Sequence, residues 1–256
     1  MSTHIEFDND GLIGTITFKE DELTTPCTLS HDVLDRLDEI IGLVETTSHS
    51  IRALVVQSAS PKYFVVGANI QALQKLTPES ITPWVEKGHR VFNRLENLPI
   101  PVLARIEGFA LGGGLELAMA CDMIFAGQRA KFGQPEATLG VMPGWGASYR
   151  LPLRVGVTKA KEMFFTGKII TAQAALEIGL VNAVVPPEQL DGVIDEVLTA
   201  ICNNDCKAIA YTKQIVNQTF ADGIHRNCHD EAVASVLCLH SPTTQERLQK
   251  FFASRK

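Results

Sequence analysis

No stretch of this chain holds the roughly eighteen uninterrupted apolar residues that a membrane-crossing helix needs, and Met1 to Asp10 is too polar to act as a secretory signal. The expected setting is the cytoplasm, or an organelle matrix if a presequence has been removed, and no membrane partner is expected. Basic charge is scarce as well. The formal net charge is -6, and lysine and arginine are dispersed, so no patch offers the concentrated phosphate neutralisation on which nucleic-acid binding rests. Cysteine is sparse: Cys27, Cys121, Cys202, Cys206, Cys228 and Cys238 are six thiols in 256 residues, a usage that fits reduced side chains in a reducing compartment. No Cys-x-x-Cys pair occurs. Cys202 and Cys206, and the close set His225, Cys228 and His229, are ligand types, but both segments read as helices with apolar neighbours, so no metal site is expected.

What is present is an ordinary globular composition, 45% hydrophobic and 20% charged, with ample material for one core, or one core and a small appendage. The chain is organised around Ile106-Glu107-Gly108-Phe109-Ala110-Leu111-Gly112-Gly113-Gly114-Leu115-Glu116-Leu117-Ala118. Pro99 to Arg105 reads as a short buried strand before it, and Leu115, Leu117 and Ala118 open a helix, so the glycines stand at a strand-to-helix junction. Glycines there let backbone amides approach a ligand closely, and the first amides of a helix are unpaired donors at the positive end of its dipole. Such donors suit a phosphate or a developing oxyanion. The Lys-Ser/Thr of a phosphate loop and the spaced Gly-x-Gly-x-x-Gly of a dinucleotide loop are both missing. Glu116 instead falls about one turn after the amide of Gly113. A glycine triplet by itself equally fits a tight helix–sheet contact with Glu116 solvated.

Around this centre, Ile5 to Phe7 and Leu12 to Phe18 alternate about Asn9-Asp10-Gly11, a hairpin signal. Val33, Leu34, Leu37, Ile40, Ile41 and Val44 keep helical spacing, and Ile51 to Gln57 reads as a buried strand, so strand and helix alternate as in an α/β layer. Residues 77–98 predict a long amphipathic helix with Trp84, Val85, His89, Val91, Phe92 and Leu95 near one stripe. His89 could be a general base, but a lone histidine on a stripe reads as structural. Further helices are expected at Val157 to Thr166 and Ala172 to Ile178, the latter capped by Thr171. From Glu188 on the pattern is helical only, near Leu190 to Cys202, Cys206 to Thr219, Asp222 to His240 and Pro242 to Ser254. A helical tail with apolar positions such as Ile209, Val216 and Phe220 must cover another surface, its own site or a neighbouring subunit's.

A second carboxylate, Glu136, lies in the frame Lys131-Phe132-Gly133-Gln134-Pro135-Glu136, followed by Pro143-Gly144-Trp145-Gly146. Together the two stretches resemble the signature of the enoyl-CoA hydratase/isomerase, or crotonase, family, and the likeness runs from about Ile5 to the C-terminus. The resemblance implies an α/β fold, a crotonase-like ββα spiral core over 1–188 carrying the acyl-CoA site, and a C-terminal helical region over 189–256 that builds homo-trimers or homo-hexamers. It implies that Phe64-Val65-Val66-Gly67-Ala68-Asn69-Ile70 is the family's second strand-to-helix turn, so that the amides of Ala68 and Gly113 form an oxyanion hole. Val66, Ala68, Asn69 and Ile70 would border coenzyme A, which is part of the substrate; no separate cofactor is implied. Two positions depart from the family pattern: Asn69 replaces an aspartate and Gln71 a frequent lysine, changes that alter polar contacts to the nucleotide end without touching the donor amides.

By the same resemblance Glu116 activates the water that attacks the β carbon, Glu136 protonates the α carbon, and the amide of Gly144 helps hold the water. The pair of glutamates favours an enoyl-CoA hydratase. The alternatives are another acyl-CoA lyase, isomerase or hydrolase of the same scaffold acting on a cyclic, dienoyl or functionalised acyl group, and, from a different class, a non-catalytic or RNA-binding member. Trp145 and Tyr149 stand where many hydratases carry a smaller residue and a glutamine, so either can reshape the acyl pocket, and Trp145 reads equally as core and as tunnel wall.

Overall fold

The computed structural model describes residues 3–47, 50–219, 232, 233, 236, 239, 240 and 242–253. Its first turn follows from its residues. The Asp10 carboxylate accepts the amides of Leu12 (3.1 Å) and Ile13 (2.8 Å), Asn9 accepts that of Gly11 (2.8 Å), and Gly11 takes a φ of 102°. The turn folds β1 (His4–Asn9) onto β2 (Ile13–Lys19) in antiparallel register, with Ile5 opposite Phe18 and Phe7 opposite Ile16. Then α1 (His31–Thr47) buries the six aliphatic residues whose spacing predicts it.

From here one unit recurs three times. β3 (Ala53–Ser58) enters a large sheet, β4 (Tyr63–Val65) a small one, and α2 (Ile70–Gln74) and α3 (Pro78–Glu96) return the chain. β5 (Val102–Ile106), β6 (Phe109–Leu111) and α4 (Gly113–Met119) repeat the pattern. So do β7 (Met123–Gly127), β8 (Lys131–Gly133) and, after a 3-10 turn at Glu136–Leu139, α5 (Ala147–Val155) and α6 (Val157–Thr166). The chain closes through β9 (Ile170–Thr171), α7 (Ala172–Glu177), β10 (Ala183–Val185), α8 (Leu190–Asn203), α9 (Cys206–Thr219) and the helix Pro242–Ala253. Thr171 caps α7 by accepting the amide of Ala174 at 3.2 Å. The large sheet runs β1-β2-β3-β5-β7-β10, parallel apart from the opening hairpin, and the small one runs β4-β6-β8-β9, with β9 antiparallel. This is the expected ββα spiral.

Strand alternation divides the large sheet between two apolar layers. Leu54, Val56, Val102, Ala104, Ile124 and Ala126 join α1 and α3 in the main core. Ala53, Val55, Leu103 and Phe125 face the other way, where Leu190, Ile194 and Leu198 of α8 cover them, each such side chain stabilising by about 2 kcal/mol. Lys213 ties α9 to the same region, its ammonium donating to Asp122 (2.7 Å) and to the carbonyl of Ile100 (2.9 Å).

The tail also comes back over its own chain. Thr244 is buried and donates to the carbonyl of Gly140 at 2.6 Å, just past the 3-10 turn that carries Glu136. Thr244 thus sets one part of the tail beside the segment that carries Glu136. Phe220, His225, Cys228, His229 and Cys238, with most of the helix expected over 222–240, lie outside the described residues. Cys202 is half-buried and Cys206 exposed. Among the described residues, no group of three or more His, Cys, Asp or Glu side chains is placed to hold a metal ion, and no helix is long and apolar enough to cross a membrane.

Candidate active site

The short second strands set up the site. α4 is buried along its whole length and lies so close to β4 that a Cβ on Gly114 would run into the carbonyl oxygen of Val65. A glycine is the residue that permits this approach. Beside it runs the turn at Gly67 (φ 104°), close enough that a Cβ there would stand 3.5 Å from the nitrogen of Gly113. The bridge between this turn and Leu29 uses the Gly67 carbonyl (2.9 Å) and the Asn69 amide (2.8 Å). In a parallel bridge the middle residue turns its own amide the other way, so the N–H of Ala68 points away from Leu29. Gly113 opens α4, where helical geometry leaves the amide without an intrahelical acceptor.

One cavity collects these groups. Val66, Ala68, Ile70, Gly113, Glu116, Glu136 and Gly144 all contribute to its wall. Asn69 is the one expected site residue not on that wall. Its side chain caps α2 instead, accepting the amide of Ala72 at 3.0 Å and donating to the hydroxyl of Thr28 at 3.2 Å.

Glu116 is 2% exposed. A carboxyl group that deep is costly unless hydrogen-bonded, and its Oε1 accepts two backbone amides, from Trp145 (2.8 Å) and Ala147 (2.9 Å). Glu136 is half-buried at the start of its 3-10 turn, with Oε1 beside the α carbon of Gly112. With the Gln134 amide oriented to avoid facing oxygen to oxygen, its nitrogen donates to both oxygens of Glu136, at 2.7 and 3.0 Å. Gln134 is fully buried. It belongs to the motif, yet its residue type assigns it no task; its place two residues before the carboxylate was the available signal.

The rest of the wall is apolar. Ile81, Trp84 and Val85 of α3 contribute, as do Trp145 and, from the tail, Leu239. The Trp145 ring is 3% exposed and makes edge contacts with Trp84 (5.0 Å between centroids) and Phe92 (5.8 Å). Its Nε1 donates to the carbonyl of Trp84 at 3.4 Å. A Cβ on Gly88 or on Gly113 would overlap the indole, so the ring is wedged directly between both backbones. Trp145 is therefore core and cavity wall at once.

Other nucleophiles are quenched. Burial pushes the thiol of Cys27 up to about 11 and that of Cys121 up to about 12, so both stay protonated at neutral pH. His89, 1% exposed, stacks on Tyr149 at 6.0 Å with Nδ1 3.3 Å from the phenol oxygen. Burial, opposed by the charge of Glu116 and helped by that of Arg150, lowers its pKa from 6.5 to about 4. A neutral, enclosed imidazole fits the structural reading of this residue.

The unfolded chain therefore binds this proton first as the pH falls. His89 costs nothing above its unfolded value, and it withdraws on the order of 3 kcal/mol of stability as the pH drops from about 6.5 to about 4. His89→Gln should flatten that slope. Denaturation midpoints at pH 7.5 and 4.5 should lie closer together in the variant than in the wild type, and equal spacing would reject the assignment.

Known proteins resemble the chain along nearly its whole length. The family described as enoyl-CoA hydratase/isomerase matches residues 12–256. A short-chain-enoyl-CoA hydratase of Clostridium acetobutylicum is 34% identical over 253 residues, covering 99% of this chain and 96% of that protein. A crotonyl-CoA hydratase of Syntrophomonas wolfei is 36% identical over 228 residues, covering 89% and 87%. The crystal structure of an enoyl-CoA hydratase from Bacillus halodurans superposes with a TM-score of 0.87 at 25% identity, over 98% of this chain and all (100%) of that one. With a family match along nearly its whole length, relatives above 30% identity and the ββα spiral, the chain is a member of the enoyl-CoA hydratase/isomerase family.

Proposed function

We propose that this protein is an enoyl-CoA hydratase, adding water across the 2,3 double bond of an acyl-CoA thioester. The observation that carries the reading is the gathering, on the wall of one otherwise apolar cavity, of two carboxyl groups, Glu116 and Glu136, and of Ala68 and Gly113, whose amides are used neither by the bridge to Leu29 nor by the helix ladder. The thioester oxygen sits between the amides. Donors fixed in advance at such a position stabilise the charge that moves onto oxygen, and each is worth about a hundredfold or more in rate.

Glu116 then takes a proton from water held near the Gly144 amide as the water oxygen bonds to the β carbon. The π electrons move onto the thioester oxygen as an enolate. They return as the α carbon takes a proton from the carboxylic acid of Glu136, and exchange with solvent resets both groups. These steps need only proton transfer and the oxyanion donors, so coenzyme A enters as part of the substrate, its arm passing Val66, Ala68 and Ile70. Asn69, engaged in capping, supports the fold of that turn. Free thiols at Cys27, Cys121, Cys202 and Cys206 fit a reducing, cytoplasmic setting.

Glu116→Gln and Glu136→Gln should each lower the turnover of crotonyl-CoA by about a hundredfold to ten-thousandfold while melting temperatures stay near that of the wild type. Loss of the enoyl-thioester absorbance is the assay, and near-full activity in both variants would overturn the roles of the two glutamates.

A short acyl chain suits a cavity walled by the two large rings of Trp84 and Trp145, and the Clostridium and Syntrophomonas relatives act on short-chain enoyl-CoA and crotonyl-CoA by name. Trp145→Ala should cost about 3 to 5 kcal/mol of stability and raise the kcat/KM of a ten-carbon relative to a four-carbon substrate by about tenfold or more. An unchanged chain-length ratio, with only the melting point lowered, would make the ring purely structural.

The assembly fits the closed symmetric type. α9 leaves Tyr211 and Ile215, one turn apart, each 64% exposed, and Val216 52% exposed, an apolar surface that a second copy would cover. Sedimentation velocity should give a trimer or hexamer at micromolar concentration; a monomer would count against it.

A further inference from the structure

We infer that Arg150 is a positioning residue for the hydration step, acting through the backbone on either side of Trp145 to hold the Glu116 carboxylate in its working orientation. The inference rests on the hydratase reading and adds a residue to it. A carboxylate gripped by two backbone amides is only as well oriented as the segment that supplies them. Here that segment, between Gly144 and Ala147, belongs to no strand and no helix until its last residue, and Gly146 within it has a φ of 111°. Something else must fix it.

Arg150 does so from beneath. It is 3% exposed, and its Nη1 donates to the carbonyl of Trp145 at 3.0 Å. Nη2 donates to Asn93 at 2.6 Å and to Glu96 at 2.7 Å, while Nε reaches both oxygens of Glu96 at 3.2 Å. The planar fork thus joins α3 to the segment. Trp145 is held on both sides: its amide is given to Glu116 and its carbonyl is taken by Arg150. A Cβ on Gly146 would overlap Nη1, so the segment lies directly on the guanidinium.

The fork is itself kept in plane. Its central carbon lies 4.9 Å from the centre of the Tyr149 ring, and the Tyr149 hydroxyl donates to the same Asn93 oxygen at 3.2 Å. A lysine would keep the positive charge, but a single ammonium cannot span Asn93, Glu96 and the Trp145 carbonyl together.

The test is a double-mutant cycle with crotonyl-CoA as substrate and butyryl-CoA, which has no double bond to hydrate, as binding probe. Arg150→Lys should lower kcat by about 10- to 100-fold, the loss that a displacement of about 1 Å in a catalytic group produces. KM and the Kd of butyryl-CoA should stay within about threefold of wild type, because the acyl and coenzyme contacts are untouched. In a Glu116→Ala background the same change should cost less than about threefold, since the group it positions is gone. Asn93→Ala, which removes one anchor of the fork and keeps the charge, gives a smaller loss of the same kind and serves if Arg150→Lys does not fold. An equal loss in both backgrounds, or a rise in KM and Kd that accounts for the loss, would overturn the inference and leave the hydratase reading standing. Absence of hydration by the wild-type enzyme on any enoyl-CoA would remove both.

Discussion

Much of this structure answers one requirement, that the carboxyl group of Glu116 be buried in α4 and still be satisfied. Removed from water, such a group costs several kcal/mol unless hydrogen bonds replace the solvent. The first turn of a helix meets part of the need through its dipole. The rest comes from the amides of Trp145 and Ala147. Turning both amides to one oxygen leads the chain through a left-handed residue, which is why Gly146 stands between them. That residue rests on Arg150, and Arg150 draws Asn93 and Glu96 of α3 into the same arrangement. A single buried acid thus accounts for side chains on two other helices.

The spiral supplies the frame in which such an acid meets its counterparts. Each turn of the chain sends its first strand to the large sheet and a second, three-residue strand to the small one. β4 and β6 are neighbours in the small sheet, in parallel, so the segments leaving them emerge side by side at the same edge. One carries Ala68 and the other Gly113, and both residues line one cavity without either helix having to be long. β8 runs parallel to β6 in turn, and the chain leaving it carries Glu136 past the α carbon of Gly112. Parallel pairing of strands only three residues long is therefore what converts separate sequence motifs into a single site.

Those short strands are also where the sequence stops being legible. The hairpin, α1, α3, α6 and α9 can be read because each spans enough residues to display a period of two or of 3.6. Phe109–Leu111 and Lys131–Gly133 are too short to display any period. The two glutamates were visible because their frames of glycine and proline are unusual, and Ala68 because its turn resembles the family's. Gln134 and Arg150 were not. A buried glutamine and a buried arginine look like surface residues until the structure brings Glu136 against one and Glu96 against the other. Asn69 has a further role not visible in the sequence, its side chain capping α2, which asparagine does as well as aspartate.

Trp145 links the acyl cavity to the core. Along the chain it offers a choice between core and tunnel, because a large aromatic next to a catalytic loop is compatible with either. The choice dissolves once its neighbours are named. The indole lies against Gly88 of α3 on one side and against Gly113, a proposed oxyanion donor, on the other, with its nitrogen given to the carbonyl of Trp84. Its main chain meanwhile serves Glu116 and Arg150. Under the proposed mechanism, a residue so placed cannot be exchanged for a smaller one to admit a longer acyl chain without loosening the packing on Gly113. In the proposed mechanism acyl length, donor placement and core packing are thus coupled at one position, so a change of chain length would call for compensating changes at Gly88 or Trp84 as well as at Trp145.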